Sequence, residues 1–77
     1  MRKSKDTNRG RVLAEWLRTK RNEKSHTMKK LSMCLRVAHS FIGKVENQER
    51  RLDIVEYVRY CSALDIDPVE GLRLIAS

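Results

Sequence analysis

The sequence predicts an all-α fold of five short helices. Apolar residues recur at helical spacing in successive segments, and no segment alternates apolar and polar residues as a strand would. Helix-forming residues are plentiful, whereas the chain has only 3 glycines and 1 proline. Its 77 residues leave room for one domain, and a domain of this size buries only about 60% of the surface that its unfolded chain exposes. Such a thin core leaves no space for a deep substrate cavity, which argues against most enzymes.

The first helix is predicted from about Gly10 to Asn22. Residues 1–9 before it are polar and basic and show no periodicity, so we expect a flexible basic arm there and a folded domain over 10–77. The apolar positions of this helix share one face and recur three or four residues apart. They are Val12, Leu13, Trp16 and Leu17.

Two short helices with a brief connection follow the first one. Thr27 is a suitable N-cap for a helix from about Met28 to Leu35. Residues 36–38 are too few for anything but a turn, and the next helix then runs from about His39 to Glu46. In that helix we expect Ile42 and Val45 to point inward.

Residues 47–52 are polar and basic and predict a loop. Asp53 and Glu56 have the spacing of a capping box, which starts a fourth helix. Its expected apolar stripe consists of Ile54, Tyr57, Val58, Cys61 and Leu64. The run Asp67-Pro68-Val69-Glu70 then places an N-cap, a proline at the first helical position and a glutamate at the third, which predicts a fifth helix to about Ile75.

Charge is distributed unevenly along the chain. The net charge is +7 and the isoelectric point is near 9.9. Residues 1–51 carry +10, whereas residues 52–77 carry −3. This separation favours a basic binding half and a packing half. It also favours an anionic partner, with nucleic acid the first expectation and a membrane surface the second.

Several kinds of site and segment are not expected. The chain shows no secretory signal and no apolar run near the roughly 20 residues of a membrane span. Cys34 and Cys61 fit no zinc spacing, so we expect two small hydrophobic thiols in a reducing cytoplasm, with a disulfide between them left open. His26 and His39 also lack metal-ligand spacing. We therefore predict no metal, no cofactor and no enzymatic activity.

Residues 27–47 predict a helix-turn-helix. Two short helices joined by a three-residue turn must cross steeply. Their apolar residues then share one small core formed by Leu31, Leu35, Val37, Ile42 and Val45. The opposite face of the second of these helices stays free, and it is polar, cationic and of a size that fits the major groove of B-DNA. Its residues are His39, Ser40, Gly43, Lys44 and Asn47.

Most of the chain resembles the helix-turn-helix domain of the lambda-repressor/Cro (XRE) family. The resemblance rests on Leu31, Val37, Ser40, Phe41, Ile42, Lys44, Val45, Glu46, Glu49, Arg50, Arg51, Leu52, Asp53, Val55, Glu56, Asp67 and Pro68. It implies a five-helix, lambda-repressor-like DNA-binding domain from a bacterial source. It also implies a cytoplasmic, nucleoid-associated transcription regulator, which we expect to act as a repressor and as a homodimer on a two-fold operator.

The resemblance also implies roles for individual residues. It assigns base contacts to His39, Ser40, Gly43 and Lys44. It assigns phosphate contacts to Thr27, Met28, Asn47, Gln48, Arg50 and Arg51. Arg21 and Glu46 match a structural ion pair of the family. The chain departs from the family at three positions. Met28 stands where the family often has Gln, and Arg36 and Gln48 stand where it often has Gly.

A dimer is also expected because one recognition helix offers few base contacts, and two half-sites multiply specificity. We place its interface in the acidic C-terminal part, which has apolar residues in excess of packing needs. They are Leu72, Leu74 and Ile75.

Two other functions are alternatives to a sequence-specific DNA-binding regulator. An antitoxin-type interaction module would bind a protein partner and regulate its own gene, and the short segment after Ile75 leaves little chain for such a partner. A non-specific RNA binder would need stacking aromatic residues on the basic face, and that face lacks them. A membrane-surface helix would show Trp, Phe or Leu on the face opposite Lys and Arg.

Overall fold

The computed structural model describes residues 3–76, which form five helices and no strand. The helices are α1 (Lys3–Glu23), α2 (Met28–Leu35), α3 (His39–Glu46), α4 (Ile54–Leu64) and α5 (Pro68–Ala76). The predicted all-α, five-helix fold is therefore confirmed. Within the described part of the chain, no helix has the length and apolarity needed to cross a membrane.

Helix α1 starts earlier than predicted. It begins at Lys3 rather than near Gly10, so the described part of the expected arm is helical, and residues 1 and 2 lie outside the described range. The segment has no proline, and adding a residue to an existing helix gains one backbone hydrogen bond for each residue ordered. Arg11 links this part of the helix by donating to Asn8 Oδ1 at 2.8 Å and pairing with Glu15 at 3.3 Å.

The turn between α2 and α3 keeps a left-handed residue although no glycine is present. Thr27 caps α2 by accepting the backbone N–H of Lys30 at 3.0 Å. Arg36 ends α2 with φ 58° and ψ 46°, and the backbone N–H of Val37 returns to the carbonyl of Ser32 at 3.0 Å. A residue with a Cβ in this conformation costs about 1 kcal/mol, and the turn tolerates that strain.

Helix α4 begins with the predicted capping box and buries three of the five residues of its predicted apolar stripe. Glu56 N–H donates to Asp53 Oδ1 at 2.8 Å, and Asp53 N–H donates to Glu56 Oε1 at 2.9 Å. Ile54 and Val58, both expected in the core, are 62% and 47% exposed. Tyr57, Cys61 and Leu64 are buried as predicted, and Tyr60 joins them in the core. These four positions lie on one face of the helix.

The core lies where α1, α2, α3 and α4 meet. Its most deeply buried side chains are Leu17, Leu31, Ile42, Tyr60, Cys61 and Leu64. Helix α5 packs on α1 and α4 through Gly71. A Cβ built on Gly71 would overlap Tyr57 Oη and lie 2.6 Å from Trp16 Cζ3, so only glycine allows this close approach. Tyr57 Oη also donates to the carbonyl of Pro68 at 2.6 Å, which ties the start of α5 to α4.

Candidate nucleic-acid interface

Helix α3 divides cleanly into a buried face and an exposed face. Ile42 is fully buried and Val45 nearly so, whereas His39, Ser40 and Lys44 are exposed. The helical period produces this division, because positions 39, 40, 43, 44 and 47 lie on one side of the helix and 42 and 45 on the other. The exposed face therefore presents a hydroxyl, an imidazole and an ammonium group on a rigid, two-turn support.

The beginning of α2 lies beside this exposed face. A Cβ built on Gly43 would lie 3.9 Å from Met28 Sδ, so the first residue of α2 contacts the middle of α3. The first N–H groups of a helix have no acceptor within the helix and attract anions. Lys29 and Lys30 are also exposed here, and sequence reasoning did not single them out. Two adjacent lysines in the first turn of a helix, at the second and third helical positions, are the signal that could have pointed to them.

The loop after α3 folds back on the end of that helix. The backbone N–H groups of Glu49 and Arg50 both donate to the carbonyl of Lys44, at 2.7 and 3.2 Å. Gln48 adopts φ 62°, the left-handed conformation for which the family often uses glycine. Asn47, Gln48 and Arg51 are exposed, which keeps them available to a ligand.

Arg50 has several partners within the chain. Its Nη2 lies 2.7 Å from Glu56 Oε2, its Nη1 donates to Glu56 Oε1 at 3.2 Å, and its guanidinium lies 4.8 Å from the centre of the Phe41 ring. It also donates to the carbonyl of Arg51. The hydrogen bonds with Glu56 raise the pKa of Arg50, and those with Arg50 lower the pKa of Glu56. Arg50 thus positions the loop against α4, whereas Arg51 forms no ion pair with a described side chain.

Arg21 and Glu46 form a buried ion pair under the interface. Arg21 Nε lies 2.6 Å from Glu46 Oε2 and Nη2 lies 3.2 Å from Oε1, and the side chains are only 10% and 3% exposed. Arg21 Nη1 also donates to the carbonyl of His26 at 2.7 Å. The hydrogen bond with Glu46 is the main cause that raises the pKa of Arg21. This pair joins the end of α1 and the following connector to the end of α3.

The residues predicted for a dimer interface do not share one environment. Leu72 and Leu74 are exposed, whereas Ile75 is half-buried. Other exposed apolar side chains lie on α4 and at the start of α5. They are Ile54, Val55, Val58 and Val69. The exposed apolar surface is therefore larger than predicted and includes the outer side of α4.

Among the side chains that the structure describes, those of residues 8–76, there is no cluster of three or more His, Cys, Asp or Glu that could bind a metal ion. Cys34 is exposed on α2 and Cys61 is buried in α4, and both are free thiols. Burial raises the pKa of the Cys61 thiol, which keeps it protonated and unreactive.

Comparison with known proteins identifies the family. No protein-family profile and no curated protein matches the chain. A solved structure does match it, the "XRE-family like protein" from Pseudomonas syringae pv. tomato str. DC3000. The TM-score is 0.89 and the identity is 32%, over 96% of this chain and 90% of that chain. Shared sequence and a shared fold over nearly the full length of both show that this chain belongs to the XRE family.

Proposed function

We propose that this protein binds double-stranded DNA sequence-specifically as a homodimer and represses transcription. The observation that carries the proposal is the exposed polar face of α3, held rigidly beside the start of α2 and the basic loop over 47–52. A helix presented in this way fits the major groove, and membership of the XRE family supports the same function. The net charge of +10 on residues 1–51 attracts the phosphate backbone of DNA.

Lys44 is the central base-contacting residue in this proposal. Its exposed ammonium group can donate to O6 and N7 of guanine, and His39 and Ser40 can donate or accept at neighbouring base edges. Gly43 has no side chain that would project between these residues, which allows close approach of a base pair. A well-formed base contact contributes about 1–3 kcal/mol of discrimination against a wrong base.

Phosphate contacts are assigned to groups on both sides of α3. On one side are Thr27, Met28 and the free N–H groups at the start of α2, and Lys29 and Lys30 add positive charge there. On the other side are Asn47, Gln48 and Arg51 in the loop. Arg50 acts mainly by holding this loop through Glu56, so we give it a smaller share of the phosphate contact than Arg51.

The dimer surface is assigned to the outer sides of α4 and α5. Exposed apolar residues lie on both helices, and the hydrogen bond from Tyr57 to Pro68 brings the middle of α4 next to the start of α5. Ile54, Val55, Val58 and Val69 therefore join the C-terminal residues predicted from the sequence. A two-fold dimer would place two α3 helices on half-sites roughly 34 Å apart.

Binding to the region upstream of the protein's own gene tests the specificity. Fluorescence anisotropy should show tighter binding to this DNA than to random DNA of equal length over a range of salt concentrations. Lys44→Ala should reduce the preference more than it reduces binding to random DNA, whereas Lys24→Ala, on an exposed residue after α1, should leave the preference unchanged. Equal affinity of the native protein for both DNAs would contradict sequence-specific recognition.

Sedimentation at micromolar concentration tests the dimer. The native protein should sediment as a dimer, at least on its operator, and Val58→Glu should weaken this association. Met33→Glu is the matched control, because Met33 is also exposed and apolar but lies on α2. A monomer both with and without operator would exclude the homodimer. A reporter gene behind the bound region should fall in expression when the protein is present, and a rise would contradict repression.

A further inference from the structure

A cleft of about 410 Å³ lies between α1, the loop after α3 and the end of α5. This volume is within the range of about 300–1,000 Å³ that is typical of small-molecule sites. Its aliphatic lining comes from Leu13, Ala14, Leu17, Val45, Leu52 and Ile75. The cleft therefore offers a continuous apolar surface that the protein's own side chains leave unfilled.

The polar part of the lining is basic. Arg9, Gln48, Arg50 and Arg51 contribute to it, and none of the described residues that line the cleft is acidic. Glu56 already neutralises Arg50, but neither Arg9 nor Arg51 has an ion-pair partner among the described side chains. Two guanidinium groups without an ion pair to a described side chain thus lie beside an apolar surface, which is complementary to a ligand with an anionic end and an aliphatic body.

We propose that this cleft binds a small amphipathic carboxylate. The aliphatic part of the ligand lies on the apolar lining, and its carboxylate accepts hydrogen bonds from Arg9 and Arg51. Guanidinium groups match the planar geometry of a carboxylate, and such charge-assisted hydrogen bonds are about twice as strong as neutral ones. Inorganic phosphate would leave the apolar lining exposed, and a neutral aliphatic molecule would leave the two cations without a counter-charge.

Such a ligand would also affect the neighbouring loop. Gln48 and Arg51 line the cleft and belong to the loop that we assign to phosphate contacts. A carboxylate bound to Arg51 competes with a DNA phosphate for the same guanidinium, so the ligand should weaken DNA binding. This effect on DNA rests on the proposed function, whereas binding in the cleft does not.

Titration of the isotope-labelled protein with saturated carboxylates, followed by NMR, tests the site. We expect hexanoate, octanoate, decanoate and dodecanoate to bind with affinity that rises several-fold for each added methylene until the cleft is full. The shifted amides should centre on Gly10, Gln48 and Leu52. Decan-1-ol should bind at least about tenfold more weakly than decanoate, because it lacks the charge.

Substitutions at Gly10 provide a test that keeps every existing side chain. A Cβ at this position would lie 3.2 Å from Gln48 Oε1, the mobile end of a long side chain, so the helix can accept it. Gly10→Leu should fill the mouth of the cleft and abolish decanoate binding, whereas Gly10→Ala should retain it. Arg9→Gln should weaken binding by up to about tenfold, and Arg18→Gln, exposed on α1 away from the cleft, should not.

Three results would overturn the proposal. Equal affinity for decanoate and decan-1-ol would show an apolar cleft without an anion site. Decanoate binding that survives Gly10→Leu would place the ligand elsewhere, and no binding at millimolar decanoate would remove the site altogether. These measurements use the protein without DNA, so failure of the DNA-binding proposal is recognised separately by the anisotropy experiment.

Discussion

Two regions of the molecule are held together by different kinds of interaction. The packing side, α1 with α4 and α5, relies on close contact of large side chains, and Trp16 and Tyr57 leave room only for a glycine at Gly71. The recognition side, α2 and α3 with the loop over 47–52, is in addition joined to the rest of the chain by two bidentate ion pairs, Arg21–Glu46 and Arg50–Glu56. Helices that keep a polar face outward offer only a narrow apolar face to the core. Polar contacts with the rest of the chain must therefore help to set their position.

The largest expected effect is at the buried ion pair that joins the two regions. Glu46→Gln should lower the free energy of unfolding by about 3 kcal/mol, because Arg21 would remain buried without a counter-charge. Urea denaturation measures this loss. Glu15→Gln is the matched control, since Glu15 pairs with Arg11 on an exposed surface and should change stability little. A similar result for both variants would show that burial does not distinguish the two pairs.

The second-largest expected change in the free energy of unfolding is on the packing side. Gly71→Ala should lower the free energy of unfolding by about 2 kcal/mol, because the added methyl group overlaps Tyr57 and Trp16 and forces α5 outward. Thermal unfolding followed by circular dichroism measures the change. Gly10→Ala is the control, and it should leave stability unchanged or raise it by up to about 1 kcal/mol, because alanine favours the helix. Unchanged stability in Gly71→Ala would mean that α5 can move away from Tyr57 and Trp16 without lowering the free energy of unfolding.

A smaller effect of opposite sign is expected in the turn of the recognition side. Arg36→Gly should raise the free energy of unfolding by up to about 1 kcal/mol, because glycine adopts φ 58° without the steric penalty of a Cβ. Chemical denaturation of Arg36→Ala separates the causes, since this variant also removes the charge but keeps the Cβ. An equal gain in both variants would assign the effect to the arginine side chain rather than to backbone strain.

The smallest effect concerns the exposed pair of Arg50 and Glu56 and depends on pH. The pKa of Glu56 is lowered in the folded protein, chiefly by the hydrogen bonds from Arg50. The stabilisation is therefore present above the ordinary pKa of the carboxyl group, 4.5, and is lost as pH falls through the lowered value.

Glu56→Gln isolates this pH dependence, because glutamine keeps a side-chain acceptor for the capping box. Its melting temperature should be slightly below that of the native protein at neutral pH, and the two should converge in acid. The difference should also shrink in high salt, as expected for an exposed pair. A constant difference down to the lowest pH would show that the carboxylate charge contributes nothing.

Sequence reasoning succeeded where the determining contacts are close along the chain. Thr27, Asp53 and Asp67 cap their helices through backbone groups within three residues, so the starts of α2, α4 and α5 follow from local spacing. The three-residue turn at 36–38 and the polar face of α3 follow from the same local rules. The start of α1 was missed, because residues 3–9 show no apolar periodicity although they are compatible with a helix.

The sequence alone thus predicts the all-α class, the helix-turn-helix and the division of α3 into two faces. These features arise from hydrogen bonds and apolar periodicity within a few residues. The tertiary fold determined the rest. It rotated Ile54 and Val58 outward, paired Arg50 with Glu56 and formed the cleft between α1, the loop and α5. These features depend on segments that are distant along the chain and on which side chains compete for the same small core, so local patterns do not contain them.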